Sequence, residues 1–213
     1  MNRKTAFLIC STVLLSTNIS ILTRIYADEK QTVNTSKIVD GKEESFTDET
    51  IESNTVDTSV ICNQNGGTVT INKNTLHKSG DTNNEDGKNA VVFTTGSSFT
   101  KIDQSDLQST SKGSSGIVAN EKAMVYANDS SIMTSNDSAN GLEAYSNGQI
   151  IANKMDITTQ GNQSAAVYAK QSDGSISLTN STLSTDGNNA PLLYANGQAN
   201  ILERVTTHLT ATT

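Results

Sequence analysis

Asp106 and Asp156 are the two carboxylates whose spacing best suits paired chemistry in this 213-residue chain. Cleavage of a glycosidic bond needs two carboxyl groups flanking it, about 5–5.5 Å apart in retaining enzymes and about 6.5–9.5 Å apart in inverting ones. Both aspartates fall at the same place in a repeating unit, two units apart, with Ser131 at that place in the unit between. At the spacing of neighbouring strands that separation is roughly 10 Å, at or beyond the upper end of the inverting range. No Asp-Asp doublet and no Arg/Lys cluster accompanies the pair, so exposed aspartates on a solvated strand face are the simpler reading.

Other chemistries find less. His77 and His208 are the only histidines, five units apart, too far to share a metal or a proton. No Gly-x-Ser-x-Gly elbow occurs, and the many Ser and Thr residues have no base beside them. Asp81-Thr82-Asn83-Asn84-Glu85-Asp86-Gly87 resembles the start of a calcium loop with oxygens at alternate positions. Gly87 falls one place late for that loop, however, and Val92 stands where the bidentate Glu belongs. An acidic turn is the reading adopted. A lattice-binding ladder of threonines is not supported either, because the relevant column reads His77, Gln108, Met133, Thr158, Ser184, Thr210. No catalytic, cofactor-binding or metal-binding residue is therefore assigned, and the expectation is a protein that is not an enzyme and uses no cofactor.

The element that positions these residues is a repeat. An apolar residue recurs at Leu76, Leu107, Ile132, Ile157, Leu183 and Leu209, at intervals of 31, 25, 25, 26 and 26 residues. The first interval is lengthened by the loop Asp81 to Lys88. A fixed period between 20 and 50 residues signals a solenoid, a propeller or an array. Each period holds three short bursts in which apolar residues alternate with Ser, Thr or Asn, as in strands with one buried face. Turn-formers such as Asn65-Gly66-Gly67, Asp173-Gly174 and Asp186-Gly187 separate them. Propeller blades need about 40 residues and four strands, so these units are too short.

The expected fold is therefore all-β, a right-handed parallel β-helix (solenoid) of about six coils with three short strands per coil, over residues 60–213. Beside the Leu76 column, a second column reads Ile71, Ile102, Ala127, Ala152, Leu178, and a third Val92, Val118, Ala144, Val167, Leu193. Residues 28–59 carry nine acids against three lysines and no apolar period. They are expected to be a disordered leader or a cap on the first coil.

The N-terminus indicates the compartment. Basic Met1-Asn2-Arg3-Lys4, an apolar run from Ala6, and Ile25-Tyr26-Ala27 have the layout of a secretory signal peptide, residues 1–27, with cleavage expected after Ala27. Removing Arg3, Lys4 and Arg24 takes the net charge from −7 to −10. So acidic a chain does not bind nucleic acid by charge, because counterion release has the wrong sign. Cys10 leaves with the peptide, and Cys62, left without an intramolecular partner, reads as a small apolar residue.

Residues 116–212 resemble the β-helical passenger segments of autotransporters and related adhesin-like bacterial surface proteins. The likeness is carried by Ser164-Ala165-Ala166-Val167-Tyr168-Ala169, by Gly174-Ser175-Ile176-Ser177-Leu178 with Ser181-Thr182-Leu183-Ser184-Thr185-Asp186-Gly187, and by Leu192-Leu193-Tyr194-Ala195-Asn196-Gly197. Residues 60–115 follow the cadence more loosely. The resemblance implies a secreted, cell-surface or outer-membrane protein that binds a glycan or protein on a host or neighbouring cell, or associates with itself. The alternative is a pectin lyase-like carbohydrate-active enzyme. The sequence stops at Thr213 within or just after a strand, and no membrane barrel, sorting signal or cap lies within it. The chain is accordingly expected to be a fragment of a longer protein, or to continue by stacking its open coil end on another chain.

Overall fold

The computed structural model describes residues 32–204 and 208–212; the expected signal peptide lies outside them. Parallel strands cannot be joined by tight hairpins. A strand can pair with its own equivalent one period later, however, if the chain turns three corners in between. The chain does this throughout. The first strands of successive coils are Lys37–Asp40, Ile61–Gln64, Val92–Thr94, Ile117–Ala119, Leu142–Ala144, Val167–Ala169 and Leu193–Ala195. The second strands are Glu43–Thr47, Thr68–Asn72, Phe99–Asp103, Met124–Asn128, Gln149–Asn153, Ser175–Thr179 and Asn200–Arg204. The third are Thr50–Ser53, Thr75–Lys78, Asp106–Ser109, Ser131–Thr134, Asp156–Thr159, Thr182–Thr185 and His208–Ala211. They stack into three all-parallel sheets, here sheets 1, 2 and 3 in that order. Thr32–Asn34 adds an eighth strand to sheet 3. The result is a β-solenoid of seven coils.

The registers match two of the expected columns. Leu76, Leu107, Ile132, Ile157 and Leu183 pair in sequence along sheet 3, and all are at most 1 % exposed. Ile71, Ile102, Ala127, Ala152 and Leu178 do the same along sheet 2. The third column needs correction. In sheet 1 Val92 pairs with Ile117, then Leu142, Val167 and Leu193, while Val118 and Ala144 belong to two different neighbouring columns. The middle strands of this sheet are buried on both faces. Alternation therefore vanishes there, and with it the cue to register.

The acidic stretch before residue 60 is the second correction. Read from sequence as a disordered leader or cap, it supplies the first complete coil. Val39, Phe46 and Ile51 enter the core with one inward apolar residue per strand, while Asp40, Glu43 and Asp48 point to solvent. One buried apolar residue per strand is enough to fold here, because the next coil covers it, but it leaves no visible period.

Corners are as regular as strands. Between sheets 2 and 3 one residue per coil adopts the left-handed conformation: Asp48, Lys73, Gln104, Asp129, Lys154 and Asn180, with φ between 48° and 56°. Its N–H still donates to the next coil, as Lys73 does to the Asp103 carbonyl (3.0 Å) and Asp129 to that of Asn153 (3.0 Å). The ladder thus passes unbroken around the corner, and an ordinary αL penalty is outweighed. At another corner coils approach too closely for a side chain. A Cβ on Gly161 would lie 1.9 Å from the Asn136 carbonyl oxygen. Gly161→Ala must force adjacent coils apart, and a loss of about 1–3 kcal/mol is expected by urea denaturation.

Lys78 is unusual. It sits with Ser53, Ser109, Thr134 and Thr159 in an inward column of sheet 3, fully buried. Its ammonium donates to the carbonyls of Ser79 (2.7 Å) and Thr55 (3.1 Å). Burial pushes its pKa below the ordinary 10.5, against the opposing pull of Asp57 and Asp81. Below the depressed pKa folded and unfolded chains are both protonated, and the buried charge costs most. As pH rises from there towards 10.5 the folded chain releases the proton first, so stability increases. The stability difference between the natural chain and Lys78→Met should rise across that window, measured by urea denaturation at stepped pH. A flat difference would show that Lys78 does not titrate differently on folding.

Candidate functional site

The one long corner builds the site. Seven residues join sheet 3 to sheet 1 in coils 3 to 4 (110–116), 4 to 5 (135–141) and 5 to 6 (160–166), whereas thirteen, 79–91, join coil 2 to coil 3. The extra length folds along the outside of sheet 1. Asp57 anchors it, accepting from the Thr82 hydroxyl and from Asn84 Nδ2 (2.8 Å), and Lys112 donates its backbone N–H to Asp81 Oδ1 (2.8 Å). Its tip covers a small apolar cluster of Ala90, Phe93, Val118 and Tyr145. Tyr145 Oη donates to the Asp86 carbonyl, and Lys170 Nζ donates to that of Glu85 (3.3 Å). One loop leaving coil 2 is thereby fastened to coils 3, 4, 5 and 6.

Where that loop stops, the outer column of sheet 1 becomes polar. The column runs Ile38, Cys62, Phe93, Val118, Glu143, Tyr168, Tyr194. Glu143 is 4 % exposed, and its Oε1 pairs with Lys170 Nζ at 2.6 Å. Its Oε2 accepts from Ser115 Oγ (2.7 Å) and Asn140 Nδ2 (3.2 Å). The Lys170 ammonium lies between two rings, 4.8 Å from the Tyr145 centroid and 5.5 Å from that of Tyr168. Tyr194 then stacks on Tyr168, with centroids 5.1 Å apart and planes at 27°. Burial foremost, then the charges of Glu143, Asp86 and Glu121, pushes the Tyr145 hydroxyl well above its ordinary value of 10.0. It stays a donor at all physiological pH.

Beside this column opens a cleft of about 740 Å³, within the range of ligand-binding clefts, about 300–1,000 Å³. The loop residues Thr82 to Glu85 form one wall. The other wall is a corner column, Gly113, Ser138, Gln163 and Asn189, one per coil and all at left-handed φ of 55–66°. Ser115, Asn140, Ala165 and Pro191 form the floor, and Tyr168 and Tyr194 close one side. The corner wall is braced coil to coil. Asp137 Oδ1 accepts from the Asn162 N–H (2.8 Å), and Asn162 Oδ1 from that of Asn188 (3.0 Å).

The residues singled out in the sequence lie elsewhere. Asp106 and Asp156 do share the outward column of sheet 3, with Ser131 between. Ser131 Oγ donates to Asp106 Oδ1 and Gln108 Nε2 to Oδ2, each at 2.7 Å. Both oxygens are thus held by the solenoid's own surface. His77 pairs with Gln108 and His208 with Thr182, at different heights of the same sheet. In the acidic loop Asp81, Asn83 and Asp86 accept from Lys112 or Lys88, and no group of three or more metal-ligating side chains forms among the described residues. Cys62 packs at the edge of the apolar cluster. Burial raises its thiol pKa, opposed by a hydrogen bond from Ser59.

The sequence does not mark Glu143, Lys170, Tyr168 and Tyr194 as a site. Glu143 was hidden by the shifted register of sheet 1. The available signal was a single carboxylate interrupting an outward column of apolar and aromatic residues. No protein-family model, no curated protein and no solved structure matches this chain.

Proposed function

We propose that the chain is an exported, surface-displayed β-solenoid that acts by binding, in the manner of an adhesin or autotransporter passenger, and not by catalysis. The cleft under the 79–91 loop is its ligand-contacting surface. The observation that carries this reading is the state of Glu143. Both its oxygens are committed, to Lys170 on one side and to Ser115 and Asn140 on the other. A general acid or base must be free to exchange a proton with a substrate; this carboxylate instead braces the floor. Rigid backbone stacking behind it supplies a preformed surface, which limits the entropy lost on binding. The secretory layout of residues 1–27 supports a location outside the cell.

The test has two arms. N-terminal sequencing of protein recovered from the cell surface should begin at Asp28. Immobilised protein should retain host-cell or neighbouring-cell envelope material without degrading polysaccharides offered to it. Product release from pectin or another polysaccharide, abolished by Asp106→Asn or Asp156→Asn, would favour the carbohydrate-active alternative and overturn the binding reading.

A further inference from the structure

We propose that the cleft is a subsite for an uncharged oligosaccharide lying along the solenoid axis. The proposal rests on the binding reading above and names the chemistry of its ligand. Three observations carry it.

The first is an aromatic platform. Tyr194 is 45 % exposed and is held flat by stacking on Tyr168. Tyr168 is fixed in turn by the Lys170 ammonium near its ring and by Asn196 Nδ2, which donates to its hydroxyl at 3.3 Å. A ring so positioned offers an apolar face at low entropic cost. The C–H face of a pyranose is a natural partner for it.

The second is a repeating polar wall. Ser138, Gln163 and Asn189 occupy one corner column in successive coils and line the cleft. They make no side-chain hydrogen bond among the described residues, whereas their neighbours Asp137 and Asn162 are used as braces. With one residue per coil, the column presents hydroxyl and amide groups at the strand spacing of about 4.8 Å. A sugar chain, whose hydroxyls recur at each ring, can meet such a ladder repeatedly. A globular protein epitope has no matching period.

The third is charge. Of the five charged residues lining the cleft, Glu143 and Lys170 neutralise each other, which leaves the single ammonium of Lys112, 3.0 Å from Asn83 Oδ1, against two further carboxylates. Those carboxylates are Glu85 and Asp137, so the lining carries three acids against two lysines, within a chain of net charge −7. A polyuronate or sulfated glycan would meet a net negative field in which one lysine, Lys112, faces two carboxylates. Neutral hexoses and N-acetylated hexosamines meet no such penalty.

The experiment is calorimetric titration of the full-length exported chain with hexasaccharides of glucose, mannose, galactose and N-acetylglucosamine, and with hexagalacturonate. At least one neutral hexamer is expected to bind, and hexagalacturonate at least tenfold more weakly. Tyr194→Ala is expected to weaken the neutral interaction at least tenfold, and Gln163→Ala with Asn189→Ala severalfold. Far-ultraviolet dichroism and melting of each variant show whether the coils remain folded, and Tyr194→Phe, which keeps the ring, should retain binding. Preference for the uronate, indifference to Tyr194→Ala in a folded variant, or no neutral binder in the panel would overturn the proposal. If envelope material is still retained without turnover in those cases, the binding reading survives and only the ligand class fails.

Discussion

Replacing Lys170 by methionine is expected to destabilise the solenoid by about 3 kcal/mol, the lower end of the cost of breaking a buried ion pair, because the adjoining cleft admits water. The lysine stem is preserved in length, so the loss reports the charge. Three things fail together. Glu143, 4 % exposed, loses the cation 2.6 Å away. The Glu85 carbonyl loses its donor, and Tyr145 and Tyr168 lose the ammonium near their rings. The double variant Glu143→Leu with Lys170→Met removes both charges and should be less destabilised than Lys170→Met alone. A double-mutant cycle in urea measures the coupling. Additive losses would show that the pair contributes nothing beyond its separate side chains. Limited proteolysis of Lys170→Met should also cut within 81–88, since two of that loop's distal fastenings pass through coils 5 and 6.

The second large effect concerns the core. Ile132→Ala, in the fourth of seven coils and 1 % exposed, is expected to cost about 2–5 kcal/mol. In a stacked repeat each coil contacts only its neighbours, so a cavity at mid-column also weakens the link between the two halves. The denaturant slope should fall as unfolding ceases to be all-or-none. Met133→Ala, one residue on and 39 % exposed, provides the control and should change stability by no more than about 0.5 kcal/mol. If Ile132→Ala lowers the midpoint with an unchanged slope, the seven coils remain one cooperative unit despite the cavity.

How much of this was legible in the sequence depended on how many faces of a strand are buried. Sheet 3 has one apolar face, and Leu76 to Leu183 could be aligned by inspection because polar residues alternate with them. Coil 1 is not legible because Val39, Phe46 and Ile51 are single inward apolar residues among outward acids, too few to make a period. In sheet 1 the loop buries Phe93 and Val118 from outside, so both faces became apolar and the column slipped. The insertion itself was plain, as an interval of 31 among intervals of 25 and 26. Its destination was not. Asp86 meets Tyr145 across 59 residues, and Glu85 meets Lys170 across 85. No local pattern encodes contacts at that range; they follow only after the coils have been stacked.

Fastening one loop across four coils has a mechanical consequence. Backbone hydrogen bonds in this rod run along its axis, so tension would peel it from an end, one coil at a time. Each coil of about 25 residues would release roughly 85 Å of chain at full extension. Coils 3 to 6 are tied together by the contacts of the 79–91 loop, and a rod loaded in this way should meet a latch there. Under force spectroscopy the expected trace is small, regular steps for unlatched coils and one larger rupture for the stitched block. The cleft lies largely within that block, so a tether pulled through its ligand would load the best-fastened stretch of the rod.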